Sequence, residues 1–348
     1  MSTRLWQAGW ELNTIVEWKA EITRVTTPDM STTKAFTGAR SLRNTGANTR
    51  SSVGTTFAST TQITAQLYFN HNSVSTNAGR YALIYTWTST AGSLNFIRWH
   101  GNTGLIELVI NNSVVATVSA ATAGITATDT WYAAGLRVFA DATTGYVNFY
   151  IDGVSVLSAT SQNTGTGLTA LYIGGDGGSI AGWLTSCYFD DVYIDDTAGE
   201  IDSAPIPRRF LWQIANGNGG SSQWDGNDGN QVDNYLLVDD VTPDGDTTYV
   251  FTNAAGNVDR YIGSDITLPG GYQIVAVIPT DLCKRSSVTE QLKTGLTDSV
   301  NTSAGTAQDL PAGYGTIWER YTLQPDGSTW NETDANAMEL RIESAGTF

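Results

Sequence analysis

From about Thr61 onward, apolar and polar residues alternate over short runs, and each run stops at a cluster of Gly, Asn, Asp or Ser. Alternation with period two marks strands that bury one face, and closely spaced short strands suit a sandwich or barrel. Such runs occupy residues 62–70, 80–89, 93–101, 104–119, 130–141 and 146–158. In the last of them Val147, Phe149 and Ile151 form one apolar face, while Tyr146, Asn148 and Tyr150 form the other. Asp152-Gly153 then predicts a two-residue hairpin turn, because both residue types accept the positive φ of a type I′ turn. Asn111-Asn112-Ser113 separates two further β runs in the same manner. No stretch sustains apolar spacing at i, i+3, i+4 and i+7 behind a capping box, so no long helix is expected.

The second half repeats the pattern. RRFLWQIANG from Arg208, NYLLVDD, DTTYVFTN, GYQIVAVIPTDLCKR, SSVTEQLKTG, YGTIWERYTL and NAMELRIESAG are all predicted to form strands. Between the halves lies an aperiodic stretch containing Pro205 and Pro207. Proline removes a ladder donor and stiffens the chain, so this stretch is expected to connect two domains. The predicted organisation is residues 1–200, a linker at 201–207, and residues 208–348. A length of 348 residues suits two domains at the usual ~150 residues each, and either half can bury a core without metals or disulfides. Few charged residues and abundant Thr, Gly, Asn and Ser favour strands over helices, so the fold class expected is all-β.

Charge and cysteine content narrow the function. A formal charge of −16 opposes phosphate-backbone binding, which depends on Lys and Arg. Nucleic acid is therefore not expected as a partner, and the acidity suits solubility or a basic surface on another assembly component. No apolar run reaches the ~18 residues of a membrane span, and residues 1–21 lack an apolar signal core, so neither membrane insertion nor secretion by the usual route is expected. Cys187 and Cys283 are the only cysteines, too few for a disulfide framework or a CxxC metal site.

The order of features in the first half carries a resemblance. TRLWQAGWE at the start is followed by TGARSLR at 37–43, the W-Y-x-x-x-L-R-V segment from Trp131, and the G-x-V-x-F-Y-I-D-G hairpin at 145–153. LYIGGDG at 171–177 and YFDDVYIDD at 188–196 complete the series. This resembles the concanavalin A-like lectin/glucanase (laminin-G-type) jelly roll, and implies such a sandwich followed by a second, smaller β-rich domain. Asp244 to Val250 and Thr333 to Ile342 in the second half resemble the C-terminal portion of tailed-phage structural proteins. The two resemblances together imply a virion component, with other capsid or tail proteins as partners, homo-oligomeric assembly and a place on the phage particle. A capsid decoration protein and a tail-fibre or receptor-binding protein are both compatible with them.

The chemistry expected is sparse. Glycan hydrolases of this superfamily use paired acids, typically E-x-D-x-x-E along one strand. Here the nearest match is Glu200-Ile201-Asp202-Ser203-Ala204-Pro205, which lacks the last acid and falls in the connector. Glu107 is a lone strand acid, and His71 is expected at an exposed turn; His100 ends a strand, and neither histidine belongs to a hydrolase motif. Aspartates near 190–196, 225–228 and 244–246 are read as turn-closing residues in preference to calcium ligands, since the loop from Asp225 has Gly229 where an EF-hand needs an oxygen donor. No cofactor, metal or catalytic residue is expected.

Sugar recognition is the alternative function, because aromatic rings stack on pyranose faces while Asn and Arg bond hydroxyls. Tyr81, Tyr85 and Trp87 share one strand face, Arg98 and His100 share a face of the next strand, and Asn148 and Tyr150 share a third. These seven residues are the carbohydrate-binding candidates, for a carbohydrate-binding module or adhesin recognising host surface glycans.

Overall fold

The computed structural model describes residues 4–10, 21–23, 29–45, 52–72, 82–89, 94–174, 186–196, 205, 208–241, 243–287, 289–298 and 300–347. The chain is nearly all β and divides into two compact units, Met1–Phe210 and Leu211–Phe348. The division falls after the expected linker, because Arg208–Phe210 packs with the first unit.

The first unit contains β1 (Arg4–Ala8), β2 (Glu21–Thr23), β3 (Asp29–Ser31), β4 (Ser41–Thr45), β5 (Ser52–Thr60), β6 (Gln62–His71), β7 (Ala82–Ser89) and β8 (Leu94–His100). These are followed by β9 (Leu105–Ile110), β10 (Ser113–Ser119), β11 (Trp131–Phe139), β12 (Gly145–Ile151), β13 (Val154–Gln162), β14 (Leu168–Ile173) and β15 (Ser186–Asp195). One antiparallel sheet runs in the order β13-β12-β11-β6-β15-β4-β3, with β1 also paired to β15; the other runs β10-β9-β8-β7-β14-β5-β2. Together they form a jelly-roll sandwich.

Alternation explains what holds it closed. Ile63, Leu67, Phe69, Leu136, Phe149 and Phe189 from the first sheet meet Tyr85, Trp87, Ile97 and Leu108 from the second, all fully buried. Each such side chain contributes roughly 1.5–3 kcal/mol relative to exposure. The Asp152-Gly153 turn has φ of 50° and 81°, and Asn111-Asn112 has 50° and 63°, so both hairpins form as expected.

The second unit contains β16 (Ala215–Ser222), β17 (Asp225–Gly226), β18 (Val250–Phe251), β19 (Val258–Gly263), β20 (Thr280–Cys283) and β21 (Glu290–Thr297). It continues with β22 (Thr302–Ala304), β23 (Gln308–Asp309), β24 (Gly315–Trp318), α1 (Glu332–Ala337) and β25 (Glu339–Gly346). Its main sheet runs β16-β19-β25-β21-β22, with β23 also on β21, over Ala215, Tyr261, Leu292, Ile317 and Ile342.

Several expected strands differ. Residues 208–214 form no strand, and NYLLVDD forms a 3-10 turn at Asn234–Leu237 behind Asp233, whose left-handed φ of 58° breaks extension. GYQIVAVIPTDLCKR pairs continuously only over β20, while the expected closing strand from Thr333 is divided by α1, where the Asn331 side chain caps Asp334 N–H. β16 is instead built from the glycine-rich ANGNGGSS: a Cβ at Gly219 would lie 2.8 Å from that of Arg260 on β19. No described helix is long and apolar enough to cross a membrane.

Two ionisable groups, one in each unit, make opposite contributions to the pH dependence of stability. His71, expected to be exposed, is 4% accessible among Phe69, Trp99 and Tyr132. Burial is the main cause that lowers its pKa to about 4, opposed by Asp129. The folded state thus resists protonating a group that the unfolded chain protonates below about 6.5. Stability is therefore full above that pH and falls as pH drops towards 4, by at most ~3 kcal/mol. In the second unit, burial raises Asp281 to about 7, so stability there falls as pH rises from the ordinary carboxyl range to 7.

Melting curves read by unit-specific fluorescence should show both slopes. His71→Phe should flatten the acid-side loss between pH 6.5 and 5 in the first unit. Asp281→Asn should raise the second unit's midpoint more at pH 8 than at pH 5. An unchanged pH slope in either variant would contradict the corresponding assignment.

Candidate functional site

The outer face of the β13-β12-β11-β6-β15 sheet is divided in two by segments that cross it. At the β15 end, a β-bulge at Asp190-Asp191 turns both carboxylates into the protein, with Asp191 at φ 47°. Asp190 Oδ2 accepts from the backbone N–H of Phe36 and Thr37 at 2.7 and 3.3 Å, and its Oδ1 accepts from Asp191 N–H at 2.8 Å. Asp191 Oδ1 accepts from the Thr37 hydroxyl at 2.7 Å and its Oδ2 from Phe210 N–H at 3.2 Å. Both carboxylates are completely buried; burial, then the adjacent Asp191, push the Asp190 pKa well up.

This lock places covering groups on the sheet. Phe36 stacks on Tyr68 with ring centroids 3.6 Å apart, and the Arg209 guanidinium lies 4.6 Å from the Phe36 centroid. Pro205 lies over Gly135, where a Cβ would come within 2.9 Å of the proline and 3.2 Å of Tyr150 Cβ. Gln66 donates to the Arg208 carbonyl at 3.4 Å. These contacts cover the half of the face built from Tyr68, Gln66 and Gly135.

The other half carries Gln62, Arg137, Phe139, Tyr146, Asn148 and Ser158, brought together by strand register. Phe139 pairs with both Gln62 and Tyr146, Arg137 pairs with Asn148, and Asn148 pairs with Ser158. Phe139 and Tyr146 stack with centroids 5.5 Å apart and planes at 20°, and Arg137 lies 5.4 Å from the Tyr146 centroid. With its amide assigned from the hydrogen-bond network, Gln62 Oε1 accepts from Arg137 Nε at 3.0 Å, from Nη2 at 2.9 Å and from the Tyr146 hydroxyl at 3.1 Å. Ser158 donates to Asn148 Oδ1 at 2.7 Å. The result is a half-exposed polar and aromatic platform with Ser158 at its open edge.

The candidates from sequence separate accordingly. Asn148 is on the platform. Tyr150 shares its face but is 9% accessible. Tyr85 and Trp87 are corrected from sugar-contact residues to core: both are completely buried between the sheets, and the Tyr85 hydroxyl donates to the Ala134 carbonyl at 2.7 Å across the sandwich. Tyr81 lies outside the described residues, as does Glu200.

Arg98 and His100 do share the outer face of the second sheet, away from the platform. Arg98 Nε donates to Glu107 Oε2 at 2.6 Å, so this strand acid is ion-paired. His100 Nδ1 lies 2.9 Å from the Thr103 hydroxyl. Alternation alone missed Phe139 and Arg137, although the W-Y-x-x-x-L-R-V strand placed them in register with Tyr146 and Asn148.

Among the described residues no group of three or more His, Cys, Asp or Glu could hold a metal ion. Of the aspartates read as turn-closing, Asp228 Oδ1 accepts from Asn230 N–H at 3.2 Å and Asp244 Oδ1 from Thr248 N–H at 3.0 Å, whereas Asp190, Asp191 and Asp195 lie within β15 and are completely buried.

No family model and no curated protein matches the chain. Among solved structures, the alginate lyase vAL-1 from a Chlorella virus is 11% identical, covering 55% of this chain and 99% of its own with a TM-score of 0.41. The cellulose-induced protein Cip1 is 13% identical over 53% of this chain and 93% of its own, with a TM-score of 0.38. The carbohydrate-binding module CBM66 from Bacillus subtilis is 18% identical over 50% and 94%, with a TM-score of 0.30. Likeness at this level carries no functional argument, and the site rests on its own residues.

Tyr85→Phe removes a buried donor from between the sheets and is expected to lower stability by about 1 kcal/mol while leaving the platform intact. Denaturant titration with and without ligand checks both parts, and a loss of binding without a loss of stability would return Tyr85 to the site.

Proposed function

We propose that the chain is a non-catalytic β-sandwich protein that recognises a cell-surface glycan through the platform around Tyr146. The observation that carries this reading is the half-exposed combination of stacked rings, a guanidinium, an amide and a hydroxyl on one sheet face. Rings supply apolar contact to a sugar face, and the polar groups supply directional bonds to hydroxyls. The platform residues include no carboxylate. The Asp190-Asp191 pair is completely buried and committed to backbone N–H groups and the Thr37 hydroxyl. Both points support recognition without hydrolysis, since glycoside cleavage needs two accessible acids.

We further propose that this recognition serves a tailed-phage particle, as a decoration or tail-associated protein in several copies. This second reading rests on the sequence resemblance of residues 244–250 and 333–342, joined in one chain with the jelly roll.

On a glycan array, the wild-type protein should bind a restricted set of sugars. Tyr146→Ala and Arg137→Ala should each weaken the best binder at least about tenfold, or ~1.4 kcal/mol. Retained binding in both variants would move the site elsewhere. Release of reducing sugar from any bound glycan would refute the non-catalytic reading, and absence of the chain from purified virions by mass spectrometry would refute the particle assignment.

A further inference from the structure

Charge is unequally divided along the chain. Residues 211–348 hold 19 of the 34 acids but only six of the 18 Lys and Arg, a formal balance of −13, against −3 for residues 1–210. Seven aspartates fall between positions 225 and 246, a span with no Lys or Arg. Among the described residues, their ion pairing is confined to Asp246 with Lys284.

Within this acidic stretch the surface is not uniformly polar. Val232 is 68% accessible and Leu236 is 52% accessible. With Leu237 they line a groove of about 460 Å³ whose rim carries Asp228, Asp233 and Asn230. Local hydrogen bonds fix the turn beside the groove. Asp233 in the left-handed region starts the 3-10 turn that projects Leu236, and Asn218 anchors Asp233 at 3.1 Å. Asn234 beneath it is completely buried and donates to Trp224 O and Asp259 Oδ2, fixing the turn to the core. Asp228 is held by Asn230 rather than by a cation.

We infer that this groove docks a basic segment of a partner protein, one presenting a leucine- or valine-sized side chain flanked by lysine or arginine. Exposed valine and leucine gain by leaving water, and the acidic rim rewards only a cationic occupant. A second copy of this chain would bring another −13 unit against the same rim, so self-association is the disfavoured occupant. The inference concerns the second unit and stands apart from the glycan platform.

The test uses the full-length protein and a synthetic 12-residue peptide of alternating Lys and Leu, with a Glu-Leu peptide as control. Backbone amide shifts at residues 228–237 and fluorescence titration should report binding of the Lys-Leu peptide alone. Raising salt from about 0.05 to 0.5 M should weaken it. The pair Val232→Ser and Leu236→Ser should lower affinity about tenfold, as expected for loss of apolar anchors, with the melting curve unchanged because both side chains are exposed. Asp228→Asn with Asp233→Asn should lower affinity similarly. Equal binding of the Glu-Leu peptide, or undiminished binding after the serine substitutions, would overturn the inference in favour of nonspecific attraction. Sedimentation showing dimers that the serine substitutions dissolve would overturn it in favour of self-association.

Discussion

The buried bulge at Asp190-Asp191 determines what the first unit can present to solvent. Two carboxylates inside a protein are costly unless their oxygens are satisfied. Here they collect N–H groups from Phe36, Thr37 and Phe210, segments far apart in sequence. The chain must therefore pass over the outer face of the sheet at two places, and it takes Phe36, Pro205 and Arg209 with it. The same face farther along β11 and β12 stays half-exposed among the described residues. The position of the platform is thus a consequence of where the acids are buried.

This arrangement also distinguishes acids that hold structure from acids that could do chemistry. Asp190, Asp191 and Asp259 are all completely buried. Asp259 receives Gln223 N–H, Trp224 N–H, the Asn234 amide and the Tyr261 hydroxyl, and so plays in the second unit the part that the bulge plays in the first. Oxygens already occupied by backbone donors are poor proton shuttles. These three buried aspartates are directed at fixing loops.

Much of the first unit was legible in sequence because its determinants are local. Asp152-Gly153 and Asn111-Asn112 dictate their turns, and alternation gives Val147, Phe149 and Ile151 a common face. Alternation does not say which face looks inward. Tyr85 and Trp87 were grouped correctly and placed on the wrong side, because only the partner sheet supplies the contacts that bury them. The platform was half legible through Asn148; Arg137 and Phe139 required the register of β11 against β12. In the second unit, β16 could not be read because its glycines serve close strand approach, and NYLLVDD imitates a strand until Asp233 turns left-handed.

The uneven division of acids has a mechanical consequence. A unit carrying −13 with few internal cations compresses like charge on folding, whereas the first unit stores little such repulsion. Mobile ions relieve that self-repulsion over distances of about 10 Å at ordinary salt. Folding of the second unit therefore carries a self-repulsion that added salt relieves. The ionic medium thus bears more heavily on the second unit than on the first.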